Sequence, residues 1–572
     1  MENGISRKLR NYLVLSVAAL ALTAVGTRAS FRTETAVGGE FVPGELIVKM
    51  RDSNNKAAKK VLISSVEKTL GSGSVKEVRD FMTDTQLKVV HLSNENKSLR
   101  SVIDALNAEP SVLYAEPNYV VHAFDLNQSG TTPNDTDFAK LWGMSNTGQS
   151  DSAHQAGKSG ADINVMPLWA KGITGSKDII VAVIDTGIEW THPDLKDNLY
   201  TNQAEVAGNG KDDDGNGFVD DVHGYNFSDH TANSSDDHSH GSHCAGTIGG
   251  VGNNGKGVAG VNWNVRLLPV KFLSASGSGS TEGAIEAVNY ARLMKVNVMS
   301  NSWGGGSFSQ ALKDAISAAN DAGILFVAAA GNDGSNNDSR ATYPAGYDLP
   351  NVIAVAATDN RDTLASFSNY GTKTVHVAAP GVNIYSSVKG GGYATYSGTS
   401  MATPHVAGIA ALLMSANPSW TFADVKDRLI KTSDPVAGLR RKVLAKGRVN
   451  AYNAFMGIVP PSQEPDESRW QGKSYSLESA HPYVDNSNVT FTINEPGAKY
   501  LRVIFDKVDT EANYDKVSLE TSTGDVVDEV TGAVTGYTTD YVKGDTAVIR
   551  LRSDSSVSQW GFKISSIQAI YE

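Results

Sequence analysis

Ile179-Ile180-Val181-Ala182-Val183-Ile184-Asp185-Thr186-Gly187 is an apolar, largely β-branched run that ends in a carboxylate and a glycine turn. An unbroken run of that kind reads as a strand buried on both faces, as in a parallel sheet. Val265–Val270, Val296–Ser300, Ile324–Ala330 and Val352–Ala357 read the same way, and helical stretches at Glu282–Met294 and Phe308–Ala322 lie between them. Strands alternating with helices predict an α/β fold with a doubly wound, mostly parallel sheet over residues 132–455. In such sheets a residue at a strand's C-terminal tip faces the binding crevice, which makes Asp185 a candidate functional carboxylate.

Three further stretches supply its companions. His240-Gly241-Ser242-His243-Cys244-Ala245-Gly246-Thr247 opens a small-residue helix. Gly398-Thr399-Ser400-Met401-Ala402-Thr403-Pro404-His405 places one serine at a loop-to-helix junction before an apolar run, and Gly331-Asn332-Asp333-Gly334 follows the strand at 324–330. A serine nucleophile needs a base to take its proton and an acid to orient that base. Each word also has a plainer reading: Asp185 as a turn cap, His240 as a satisfied histidine, Asn332 as a left-handed turn residue beside glycine. Four together, in the order Asp, His, Asn, Ser, resemble the subtilisin-like serine peptidases, the subtilases, whose motifs read D-T-G, H-G-T-H and G-T-S-M-A.

The resemblance implies that Asp185, His240 and Ser400 form the catalytic triad and that Asn332 donates to the oxyanion. It implies substrate walls at Ser302-Trp303-Gly304 and Ala329-Ala330-Gly331, with Thr342 near the floor of the pocket for the P1 side chain. Such walls pair with an extended peptide backbone. Small, uncharged lining residues suit apolar or uncharged P1 side chains, while Trp303 departs from the family's leucine and leaves its selectivity open. Calcium is the implied cofactor. Asp135 and Asp194 with Asn253 and Asn254 match a structural site of many subtilases. Asp212, Asp214, Asn216 and Asp220 have loop-ligand spacing but lack a closing glutamate, so that stretch is either a calcium loop of another kind or a solvated acidic turn. His243 and His405 read as packing or hydrogen-bonding residues rather than as a metal pair.

The 572-residue chain has a net charge of -12, which argues against nucleic-acid and anionic-membrane partners. Residues 1–29 combine a basic start, a short apolar core and small residues, and read as an export signal, hence a secreted protein. The single cysteine, Cys244, permits no internal disulfide. Residues 41–122, with strands around 41–50 and 87–92, helices around 57–70 and 98–108 and a closing strand at 112–119, resemble the subtilase inhibitor-type prodomain. The chain's own prodomain is therefore an expected partner besides protein or peptide substrates, with self-cleavage between His122 and Thr131.

Val459-Pro460-Pro461-Ser462-Gln463-Glu464-Pro465 marks a stiff linker over 456–472. Beyond it, Val489–Ile493, Tyr500–Phe505, Lys516–Glu520, Ala547–Leu551 and Gly561–Ile564 alternate as strands of an all-β sandwich over 473–572. Tyr514-Asp515 and Ser553-Asp554 … Trp560-Gly561-Phe562 resemble a CUB domain without its usual cysteines. That likeness implies calcium at Glu511, Asp515 and Asp554, with ordinary loop carboxylates as the other reading, and a protein or carbohydrate ligand. Two other functions fit parts of the sequence: a catalytically silent binding protein using this module, and a processing protease of narrow basic-site specificity. Intact catalytic words speak against the first, and the absence of acidic residues around Ser302–Gly305 against the second.

Overall fold

The computed structural model describes residues 32–33, 40–51, 55–80, 86–93, 99–119, 132–461, 464–512 and 514–571. The export signal at 1–29 and the cleavage stretch from His122 to Thr131 lie outside the described residues. The chain divides into two compact units, Met1–Asn127 and Gln128–Glu572.

The first unit is α+β. Strands Glu40–Met50, Val75–Asp80, Leu87–Leu92 and Val112–Tyr119 form an antiparallel sheet, with helices Asn55–Leu70 and Leu99–Asn107. Leu62 and Val66 of one helix and Val102 and Leu106 of the other are buried against Leu46, Val48 and Val90 of the sheet. The strand at 75–80 was not anticipated. It reads Val-Lys-Glu-Val-Arg-Asp, with half its residues exposed and none buried, so no apolar run announces it.

The second unit is built on nine strands, ordered 434–435, 447–448, 377–380, 352–358, 325–329, 298–301, 175–185, 264–271 and 225–226. All neighbours are parallel except Asp434–Pro435, which runs antiparallel at one rim. The expected strand at 179–185 is observed as Gly175–Asp185, an interior strand paired on both sides, with 298–301 and 264–271. Its side chains divide by period two. Val181 and Val183 enter a core shared with helices His240–Gly249 and Thr399–Ala416, whereas Ile180, Ala182 and Ile184 enter a second core shared with helices Thr281–Leu293 and Gln310–Asp321. Helices on both faces are what make the strand apolar throughout.

The last module has two antiparallel four-stranded sheets. One is ordered 471–478, 561–570, 500–509, 533–543, and the other 488–494, 546–552, 516–520, 526–530. Leu501, Val503 and Phe505 meet Leu519, Ile549 and Leu551 in a core between them, as an all-β sandwich requires. Arg440 docks this sandwich on the sheet: its guanidinium lies 3.7 Å from the Tyr541 ring centre and 2.8 Å from Asp540. The backbone approach is also close, because a Cβ at Gly438 would lie 2.8 Å from the Val526 carbonyl.

Candidate active site

Asp185 stands at the C-terminal tip of the strand Gly175–Asp185, fully buried. The next turn brings the His240 helix against it through two glycines. Gly187 has φ +106° and a Cβ there would lie 2.4 Å from the Ser234 carbonyl, while a Cβ at Gly241 would lie 2.1 Å from the Gly187 carbonyl. Only bare backbone permits this approach. It puts His240 Nδ1 2.8 Å from Asp185 Oδ1, which also accepts the Thr186 N–H at 2.7 Å. Burial alone would lower the His240 pKa, but the Asp185 carboxylate outweighs it, with Asp236 adding to the effect, and the imidazole is held above its ordinary value.

Asp236 was not anticipated from the sequence. Its buried carboxylate accepts from Thr186 Oγ1 at 2.9 Å, from the His238 and Ser239 N–H groups at 2.9 Å, and from the Ser242 N–H and hydroxyl at 2.9 and 2.6 Å. It thereby ties the turn after Asp185 to the start of the His240 helix. His243 and His405 are buried and face no metal cluster among the described residues. His243 Nε2 lies 3.0 Å from the Ile384 carbonyl and its ring stacks on Tyr396, and His405 Nδ1 lies 2.9 Å from the Met401 carbonyl. Burial takes their pKa values down to about 3 and about 4.

Ser400 is the second residue of the helix Thr399–Ala416, where backbone N–H groups have no partner within the helix. Its hydroxyl donates to the Ser302 carbonyl at 2.9 Å, and the Ser302 hydroxyl donates back to the Ser400 carbonyl at 2.9 Å. That carbonyl is free for Ser302 because Pro404, four residues on, has no N–H to give it. Asn332 Oδ1 accepts from both the N–H and the hydroxyl of Thr399, each at 2.9 Å, which leaves its NH2 for the cleft that it lines with Ser400 and His240.

Ser302, Trp303 and Gly304 line the same cleft, opposite the 273–281 stretch, and no carboxylate is among its described lining residues. Trp303 packs edge-on against Phe272, with ring centres 4.9 Å apart. Thr342 sits between two bare walls: its methyl carbon would be 3.6 Å from a Cβ at Gly304 and 3.3 Å from one at Gly331. Ala329 and Ala330 are buried behind Gly331. Tyr343, which the sequence did not single out, also borders the cleft.

The candidate cation ligands come together unequally. Ligand oxygens of Glu205, Asp212 and Asp214 lie within 4.8 Å of one another, and so do those of Glu511, Asp515 and Asp554. Glu205 lies outside the acidic word, and its buried Oε2 has no partner. Glu511 Oε2 is likewise unpartnered, and burial together with Asp554 and Asp515 raises its pKa. Asn216 adjoins Asp214 but spends its oxygen on the Phe218 N–H, and Asp220 accepts from the Asn209 and Gly210 N–H groups instead. Around Asp194, one oxygen accepts from Asn254 Nδ2 and the other from the Val258 N–H and the Tyr393 hydroxyl, while Asp135 accepts from the Asn253 N–H.

Comparison with known proteins agrees with this geometry. The subtilase family model matches residues 176–459, and a model described as the fervidolysin N-terminal prodomain matches residues 27–118. The thermophilic serine proteinase of Bacillus sp. (strain AK1) is 36% identical over 73% of this chain and 88% of its own length. Subtilisin J of Geobacillus stearothermophilus is 34% identical over 68% and 88%, and subtilisin E of Bacillus subtilis (strain 168) is 34% identical over 67% and 87%. With that coverage added to an Asp–His pair and a helix-borne serine on one parallel sheet, the chain belongs to the subtilase family of serine endopeptidases and carries a fervidolysin-like prodomain.

Proposed function

We propose that the chain is exported as a proenzyme, releases its own prodomain, and cleaves protein or peptide substrates through Asp185, His240 and Ser400, with an apolar-leaning P1 preference. The observation that carries this reading is the Asp185–His240 bond, facing a cleft that Ser400 and Asn332 share. Since Nδ1 is committed to Asp185, Nε2 is the base atom. Attack requires the Ser400 hydroxyl to leave the Ser302 carbonyl and turn to His240. The Asn332 NH2 and the Ser400 N–H then donate to the oxygen that becomes negative. His240 afterwards returns its proton to the leaving amine. The lack of a carboxylate among the described lining residues of the cleft supports uncharged P1 residues over basic ones.

Calcium fits two of the three expected places. At Glu205, Asp212 and Asp214, and at Glu511, Asp515 and Asp554, clustered oxygens with an unpartnered buried carboxylate oxygen suit a hard divalent cation, which would neutralise their mutual repulsion. Asp135 and Asp194 have no third acidic residue grouped with them among the described residues and no unpartnered carboxylate oxygen, so calcium there rests on the family likeness alone. The CUB-like assignment of the sandwich, and a protein or carbohydrate ligand for it, stand as proposals on the sequence likeness.

Ser400→Ala in the full chain is the test. It should abolish turnover of an unstructured protein and leave the prodomain attached, both read by mass spectrometry. Maturation of that variant in isolation would overturn self-processing.

A further inference from the structure

Lys271 ends the strand beside the Asp185 strand, in register opposite Asp185 itself, and its side chain is only 2% exposed. An ammonium has three donors and no acceptor, so burying one demands three acceptors. All are present. Lys271 Nζ donates to the Thr186 carbonyl at 2.8 Å, the Leu273 carbonyl at 2.7 Å and Asp237 Oδ1 at 2.8 Å.

These acceptors belong to three of the stretches that assemble the site. Thr186 follows Asp185, Asp237 stands three residues before His240, and Leu273 begins the cleft wall that faces Ser302–Gly304. A methionine would fill the same space with no desolvation cost and no demand for partners. What the ammonium adds is one atom bonded to all three segments, which are otherwise joined in pairs, by Asp236 to Thr186 and by the Phe272 and Leu273 N–H groups to the Asp185 carbonyl. We propose that Lys271 is a positioning residue that holds the Asp185 turn, the loop leading to His240 and the substrate wall in mutual register. The proposal rests on Asp185, His240 and Ser400 being the triad.

The matured wild type, Lys271→Met, Asp237→Asn and the double variant are compared for kcat, KM and folded fraction on one unstructured peptide, with competent sites counted by a serine-directed phosphonylating reagent. Lys271→Met should lower kcat per folded molecule about tenfold, with KM within about twofold, because the bound geometry loosens while the cleft surface remains. Asp237→Asn, at a side chain 48% exposed, should fold normally and lose about threefold. The double variant should be no worse than Lys271→Met, since both act through one contact. If Lys271→Met does not fold, Asp237→Asn decides alone. Unchanged kcat per folded molecule in Asp237→Asn, or losses confined to the folded fraction, would overturn the proposal. Activity retained by Ser400→Ala would instead overturn the triad on which it rests.

Discussion

The Thr399 N–H can only donate, so the Asn332 oxygen must face it and the Asn332 NH2 must face the cleft. A donor fixed in this way before substrate arrives acts on charge that exists only in the transition state. Asn332→Ala should therefore lower kcat by about 10²–10³, the magnitude measured on a subtilisin, with KM nearly unchanged. Steady-state kinetics on one peptide decides it, since a loss confined to KM would remove Asn332 from the oxyanion hole. His240 supplies a second outcome. The base must be neutral to accept a proton, and the nearby carboxylates hold its pKa above the ordinary 6.5, so kcat/KM should fall as pH falls, with its midpoint above 6.5. Asp236→Asn should move that midpoint down, and a pH–rate profile unaffected by the substitution would exclude Asp236 from the electrostatics of the base. At this scale the sequence was legible where a word was complete, as in Asp185-Thr186-Gly187. Glu205 and Asp236 carry no word of their own, and only the folded chain turns their carboxylates toward the cluster and the catalytic helix.

The helix Thr399–Ala416 joins these residues to the sheet. Pro404 removes one bond of its first turns, and the Ser400 carbonyl so released is taken by Ser302, with the Cys244 thiol at 3.5 Å as its other donor. The nucleophile's backbone is thus pinned to the strand that precedes the substrate wall. Ser302→Ala should leave that carbonyl with the weak thiol donor alone and cost about 1 kcal/mol. Urea unfolding in a Ser400→Ala background, which prevents self-digestion, measures it, and an unchanged midpoint would show the pair to be idle. Elements were readable from the sequence where both faces are buried, as at 324–330 and 352–357. Val377–Pro380 escaped because four residues, two of them alanine and one proline, are too short a run to register. Ala533–Lys543 escaped because a glycine and four threonine or aspartate positions break its alternation, although it pairs along much of Tyr500–Asp509.

Across the whole molecule, two apolar cores flank the parallel sheet, and stability has no disulfide to draw on. Ions at the carboxylate clusters would then matter more than usual. Chelation should lower the thermal midpoint of the mature enzyme, and calcium at about a hundred times its Kd should restore about 2.7 kcal/mol per site. Glu205→Gln should remove one site's share. A midpoint indifferent to chelator would dismiss both clusters, and a full calcium effect in the variant would dismiss Glu205. The docked sandwich has a consequence of another kind. A sheet rim is a row of open donors and acceptors to which a stray extended chain can add itself, and an enzyme that handles unfolded polypeptide meets such chains at every turnover. Here each rim of the nine-stranded sheet closes with a strand of two residues, Tyr225–Asn226 at one end and Asp434–Pro435 at the other. Pro435 withholds an N–H, and it borders a groove shared with Val527 and Tyr541 of the sandwich. Rims this short offer an extended polypeptide little backbone to pair with, which favours the cleft as its place to bind and should limit fouling of the protease by its own substrates.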